Sequence, residues 1–189
     1  MNKKSARREW IESIIIAIVL ALFIRTFFVQ AFKIPSGSMQ PTLLKGDRIL
    51  VSKFIYGAKV PFTHFRFSAF KKPQRGDIIV FVYPLDPKKD FIKRLIGLPG
   101  EKIEIEDGDI YINGKDESNP RFKKFYYYNR GDYGVEGSAV EVPADSFFVL
   151  GDNSSSSQDS RYWGFVHKDN LIGQAFFIYW PLNRIRIIR

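Results

Sequence analysis

The chain contains no cysteine, which removes thiol nucleophiles, disulfides and cysteine-based zinc or iron-sulfur sites together. Histidine is nearly as scarce. His64 in Phe62-Thr63-His64-Phe65 and His167 in Gly164-Phe165-Val166-His167-Lys168 are the two in the sequence, and neither has another histidine at ligand spacing. This argues against a histidine-based metal centre, and no metal or other cofactor is expected. A serine-histidine-aspartate triad needs a single histidine at no fixed spacing and stays open; a surface or packing role is the simpler reading of each. Internal repeats are also missing, and only one apolar run has membrane length.

The 189 residues suit a membrane segment plus one domain large enough to bury a core. A formal net charge of +9 raises the question of nucleic acid, but distribution matters more than the total. Much of the excess lies at the ends, in Lys3, Lys4, Arg7 and Arg8 and in Arg184, Arg186 and Arg189. Basic residues beside a membrane span usually set topology. No helix-turn-helix, zinc-finger or RNA-recognition signature is present, so no nucleic acid is expected and anionic membrane lipid is the better partner.

Residues 14–24 are Ile, Ala, Val, Leu and Phe without interruption, and tolerable flanks extend the run over 10–29. At about 1.5 Å per residue this reaches roughly 30 Å, the thickness of a hydrocarbon core. Glu12 and Arg25 lie where long side chains snorkel to the interface, and Trp10, Phe27 and Phe28 suit an interfacial belt. One spanning helix is expected, with the basic N-terminus in the cytoplasm and everything after Val29 outside. A cleaved secretory signal shares the basic start and apolar core, and Val29-Gln30-Ala31 resembles a cleavage site. Arg25 and the Phe27-Phe28 pair fit a signal's tail poorly, which favours an uncleaved anchor; cleavage after Ala31 stays open.

Beyond the span, short apolar or alternating runs separated by turn signals predict a mainly β domain. The expected strands are 48–54, 77–83, 91–96, 102–105, 109–112, 146–150, 171–179 and 184–188, with hairpin turns at Asp107-Gly108 and Asn113-Gly114. The polar stretch at about 114–140, with Phe122, Phe125, Tyr126, Tyr127, Tyr128 and Tyr133, reads as an insertion. Its aromatics are expected to pack locally within a long loop.

Three segments can carry chemistry. Ser38, in Ile34-Pro35-Ser36-Gly37-Ser38-Met39-Gln40-Pro41-Thr42-Leu43, sits just past the span on a backbone stiffened by Pro35 and Pro41. Alone, the segment reads better as an ordinary membrane-to-domain linker. A serine hydroxyl needs activation, and the best placed amine is Lys93, on the strand face of Phe91 and Leu95. Apolar surroundings disfavour the ammonium form and can leave an amine able to accept the serine proton. A lone strand lysine can instead snorkel outward beside Arg94. The third segment, Gly151-Asp152-Asn153-Ser154-Ser155-Ser156-Ser157-Gln158-Asp159-Ser160-Arg161, offers a serine to orient that amine and an Asp159/Arg161 pair to brace the loop. Residue chemistry does not choose among its four consecutive serines.

Taken in order, these segments together with Gly46-Asp47, Arg75-Gly76-Asp77 and Lys93-Arg94-Leu95-Ile96-Gly97-Leu98-Pro99-Gly100 resemble the bacterial type I signal peptidases, a serine/lysine dyad family. The resemblance implies a membrane-bound serine endopeptidase of signal-peptidase-type β fold, removing signal peptides of exported preproteins after small residues. It implies Ser38 as nucleophile and Lys93 as general base, with the Ser36 hydroxyl and the Ser38 N–H facing the oxyanion. Ser157, two residues before Asp159, would orient Lys93, with Asp159 and Arg161 in support; Asp152 and Asn153 read as structural. The family's substrate pockets map onto Phe32, Ile34, Met39 and Leu43, and onto Ile49, Val80, Phe91 and Ile92, all apolar here. Glu101 stands where the family more often has Asp. The implied division is a cytoplasmic basic N-terminus at 1–9, an anchor at 10–29 and an extracytoplasmic catalytic domain at 30–189, in a bacterial cell membrane. Two rival readings are a dedicated processing peptidase with the same dyad, of conjugation, pilus or organellar type, and a non-catalytic membrane-anchored binding module.

Overall fold

A computed structural model describes residues 6–57 and 68–188. His64, Lys3, Lys4 and Arg189 lie outside these. The elements run α1 (Ala6–Phe27), β1 (Val29–Lys33), β2 (Arg48–Ser52), β3 (Ile78–Val82), β4 (Asp90–Gly97), β5 (Lys102–Glu106) and β6 (Asp109–Ile112). They continue with β7 (Lys115–Asp116), β8 (Val140–Glu141), β9 (Ser146–Leu150), α2 (Ser160–Trp163), β10 (Val166–His167), β11 (Leu171–Trp180) and β12 (Arg186–Ile187). The fold is mainly β.

Helix α1 is long and apolar enough to cross a membrane, and none of its apolar stretch is buried against the rest of the protein. Ile14, Leu20 and Phe23 are each more than half exposed, an arrangement that fits hydrocarbon rather than water. The helix ends at Phe27, two residues before the apolar run does. Val29 belongs instead to β1, paired antiparallel with Ser52 in a register that continues to Lys33 and Arg48. Composition hid this strand because its first residue prolongs the apolar run.

Among the described residues the strands form an eight-stranded sheet, in the order β1-β2-β11-β3-β4-β9-β10 with β12 against β11, and a four-stranded sheet, β7-β6-β5-β8. Strand alternation divides the large sheet's core. Ile78 and Val80 of β3 join Ile34, Met39, Leu43 and Ile49 on one face. Ile79 and Phe81 join Leu95, Phe147 and Val149 on the other. Two expected strands are shorter than their apolar patterns: 48–54 stops at Ser52, where a 3-10 turn over Phe54–Tyr56 takes over. Likewise 184–188 shrinks to Arg186–Ile187 because a 3-10 turn over Leu182–Arg184 follows Pro181.

The 114–140 stretch is part of the second sheet. It supplies β7 and the first residue of β8, and its Phe122 and Tyr127 fill the small sheet's core with Ile103, Ile105 and Ile110. Local packing thus accounts for two of its aromatics, while Tyr126 and Tyr128 face solvent.

Candidate active site

The Ser38 segment is a turn held at both ends by the core. Ile34 is tied to Asp47 and Gly46 by backbone hydrogen bonds of 2.8 and 2.9 Å. Met39 and Leu43, fully buried, pin the turn from below, and the Leu43 N–H donates to the Met39 carbonyl at 2.8 Å. Between these anchors Ser38 is 7% exposed. One residue far along the chain finishes its placement: the Asn153 backbone N–H donates to the Ser38 carbonyl at 3.0 Å, and Asn153 Nδ2 to the Gly37 carbonyl at 3.1 Å.

Lys93 does not snorkel outward. It is 4% exposed, and its Nζ is hydrogen-bonded to Ser38 Oγ at 2.8 Å. Burial pulls the amine from its ordinary 10.5 down to about 8; the Asp159 and Asp152 carboxylates pull back toward the charged form, and Arg161 adds to the lowering. The Phe91 ring lies 5.4 Å from the amine. A substantial fraction of Lys93 is therefore neutral near pH 8 and in contact with a hydroxyl.

The Gly151–Arg161 loop closes the site from the far side. Arg161 and Asp159 are both completely buried and form a two-pronged ion pair, Nε to Oδ1 and Nη2 to Oδ2, each 2.8 Å. Arg161 also donates to the Tyr128 carbonyl at 2.8 Å, to Ser154 Oγ at 2.6 Å and to the Ser154 carbonyl at 2.9 Å. Asp159 Oδ2 accepts from the Gly151 N–H at 3.0 Å. One ion pair thereby sets the shape of the whole loop.

Two expectations differ in geometry. Ser157 is buried beside Gly151, but its hydroxyl has no hydrogen-bond partner among the described residues, so the expected bond to the Lys93 amine is absent; Lys93 spends its contact on Ser38. Ser36 is exposed, and its hydroxyl reaches Ser38 Oγ only at 3.5 Å, a long contact on the rim.

A second buried pair escaped the sequence. Arg94, next to Lys93, and Asp152, next to Gly151, are 1% and 4% exposed and joined Nε to Oδ1 at 2.7 Å and Nη2 to Oδ2 at 2.6 Å. Thr42 Oγ1 donates to Asp152 Oδ2, and Arg94 Nη1 donates to the Gly76 carbonyl at 2.8 Å. Thr42, Arg94 and Asp152 come from the three motif segments, so this pair links the serine turn, the lysine strand and the loop. The nearest sequence signal was the position of each charged residue beside a candidate catalytic one.

A cavity of about 330 Å³ opens over the dyad, lined by Ser36, Ser38, Phe91, Ile92, Lys93 and Gln158 among others. Of the expected pocket residues, Phe91 and Ile92 line it. Ile34, Met39, Leu43, Ile49 and Val80 are at most 2% exposed and form core beneath, with Phe32 and Ile92 packed against them. Among the described residues no group of three or more His, Asp or Glu side chains could hold a metal ion.

Residues 7–180 match the family model described as signal peptidase, peptidase S26. A probable signal peptidase I-2 from Synechocystis sp. is 38% identical over 200 residues, covering 99% of this chain and 82% of its own. A signal peptidase I from Leptolyngbya laminosa is 42% identical over 185 residues, with 94% and 81% covered. One from Bacillus licheniformis is 36% identical over 197 residues, with 98% and 95% covered. A crystal structure of a signal peptidase I from Enterococcus faecalis is 38% identical with a TM-score of 0.46, covering 55% of this chain and 97% of that one.

Proposed function

The chain belongs to the signal peptidase family, peptidase S26, and is a signal-peptide-cleaving serine peptidase; we propose that Ser38 and Lys93 are its catalytic dyad, working at the outer surface of a bacterial membrane. The observation that carries this is the buried 2.8 Å contact between Ser38 Oγ and a Lys93 amine lowered to about 8.

Neutral Lys93 takes the Ser38 proton as Oγ attacks the scissile carbonyl carbon. The oxyanion is met by the Ser38 N–H and by the Ser36 hydroxyl, which turns from its long contact with Ser38 Oγ. When the carbon–nitrogen bond breaks, the Lys93 ammonium returns its proton to the leaving amine. Water, deprotonated by Lys93, then hydrolyses the acyl-serine ester and restores both side chains. Ser157, buried two residues before Asp159 with a hydroxyl that has no hydrogen-bond partner among the described residues, is the serine we assign to steady the amine during these transfers, and the Asp159/Arg161 pair holds that loop in place.

An extended peptide laid along the cavity presents alternate side chains to Phe91 and Ile92. Because Ile34, Met39, Leu43, Ile49 and Val80 fill the space below, only small side chains find depth there. The α1 anchor holds the cavity where the tails of membrane-inserted signal peptides end. The Arg7–Arg8 end of α1 faces the cytoplasm in this arrangement.

The test is cleavage of a panel of unrelated preproteins by the membrane-extracted full chain. Wild type is expected to process most of them, and Ser38→Ala and Lys93→Ala each to process none while keeping a cooperative melt. Native-rate cleavage by either variant overturns the dyad, and activity on a single precursor overturns the general role in favour of a dedicated processing enzyme.

A further inference from the structure

The cavity over the dyad has a neighbour along the chain. Ser156 lines the cavity, and the adjoining Ser155 lines a second depression of about 430 Å³ together with Gln40, Pro41, Tyr126 and Tyr128. Through Pro41 and Lys124 that depression runs on into a third, of about 320 Å³, which reaches Arg186. Ser38 lines the first compartment, and Gln40 and Pro41, two and three residues on, line the second.

The ends differ in address and in charge. Asp90, at the mouth of the first compartment, lies within electrostatic reach of Lys53, as does Arg25 at the end of α1. That end faces the anchor and takes the part of a substrate that leads back into the membrane. The far end is cationic. Lys124 sits over the Phe125 ring at 5.1 Å, Arg130 stacks on Tyr128 at 5.0 Å while donating to the Ser155 carbonyl at 3.1 Å, and Arg186 donates to the Thr42 carbonyl at 2.6 Å. No carboxylate pairs with any of the three among the described residues. Asp152, which borders the groove, is already neutralised by Arg94.

Building on the proposed peptidase reaction, we infer that the Tyr126/Tyr128 groove receives the segment just after the scissile bond, and that Lys124, Arg130 and Arg186 select acidic side chains there. The tyrosine rings give an extended backbone a rigid wall, and each cation meets a developing carboxylate contact at an exposed site.

The test uses the full chain in detergent with peptides identical up to the cut and carrying Asp, Asn or Lys at one of the next four positions. The readout is the Asp-to-Lys ratio of kcat/KM within one preparation, so any loss of folded enzyme cancels. Wild type is expected to favour Asp by about tenfold in low salt, a preference that shrinks at high ionic strength because exposed charges are screened. The double variant Lys124→Glu with Arg186→Glu is expected to invert the ratio. A wild-type ratio near one, or an unchanged ratio in the variant, overturns the groove assignment while leaving the peptidase reading intact. Failure of wild type to cut even the Asn peptides overturns both.

Discussion

Lys93 Nζ and Ser38 Oγ are 2.8 Å apart in a site where neither side chain is more than 7% exposed. Contact and burial act together: one aligns the proton transfer and the other makes the amine able to accept it. The contact depends on the Ser38 turn, and the carboxylates that pull the amine back toward its charged form come from the loop beyond β9.

The first prediction concerns pH. With Lys93 lowered to about 8, kcat/KM is expected to fall about tenfold for each pH unit below that value, as the neutral base becomes scarce. The stability effect has the same direction. Below about 8 the folded and unfolded chains both hold the proton and the burial penalty is complete. Between about 8 and 10.5 the unfolded chain keeps a proton that the folded one has lost, so stability rises with pH. Lys93→Met removes the buried charge and is expected to be inactive yet more stable at pH 7 by roughly 2 kcal/mol. Urea midpoints for both proteins at pH 7 and 10 check this: the gap is expected to close at the higher pH.

Gly151 cannot be anything larger. A Cβ there would overlap Ser157 Oγ and come within 2.6 Å of the Ser38 carbonyl oxygen. Gly151→Ala is therefore expected to cost about 1–3 kcal/mol of stability, as overpacked sites do, and about 100-fold in kcat, the scale of a nucleophile displaced by about 1 Å. Thermal melting and single-turnover rates separate the two losses.

Asn153 serves the nucleophile through its neighbours' carbonyls. Asn153→Ala keeps the backbone bond to Ser38 but loses the 3.1 Å bond to Gly37. About 1 kcal/mol of stability is expected to go with it. Because the Gly37–Ser38 peptide then loses one restraint on its N–H, kcat is expected to drop about fivefold with KM little changed. A change confined to KM would place Asn153 in peptide binding instead.

Breaking the Asp159/Arg161 pair from one side leaves a completely buried guanidinium without its partner. Asp159→Asn is expected to destabilise by about 3–5 kcal/mol, visible as a large fall in the urea midpoint. It also weakens the bond to the Gly151 N–H, so activity is expected to drop even well below the melting temperature. The same substitution at Asp145, whose exposed ion pair with Lys168 is on the surface, is expected to shift the midpoint by less than about 1 kcal/mol.

Several features were legible in the sequence because one local pattern determines them. The apolar run of α1, the alternation of β5 and β6, and the turns at Asp107-Gly108 and Asn113-Gly114 depend on spacing within a few residues. Ser38 and Lys93 stood out only through the resemblance of their segments to a known family, since a serine between two prolines and a strand lysine have ordinary explanations. What composition could not reveal was long-range pairing. Arg94 reads as a solvated neighbour of Lys93 until Asp152, 58 positions later, is packed against it. Ser157 shows the reverse case: its position suggests a hydrogen bond to Lys93, and packing against Gly151 leaves its hydroxyl unpartnered instead.

The large sheet places β11 between β2 and β3. The serine turn precedes β2 and the lysine stands on β4, so the two halves of the dyad lie on opposite sides of the last long strand to be synthesised. β11 joins β2 to β3 in that sheet, and the Thr42, Arg94 and Asp152 contacts tie the serine turn to the lysine strand a second time. The dyad's geometry is therefore a property of the closed sheet, with residues 171–180 seated between the two sides, and not of either segment alone.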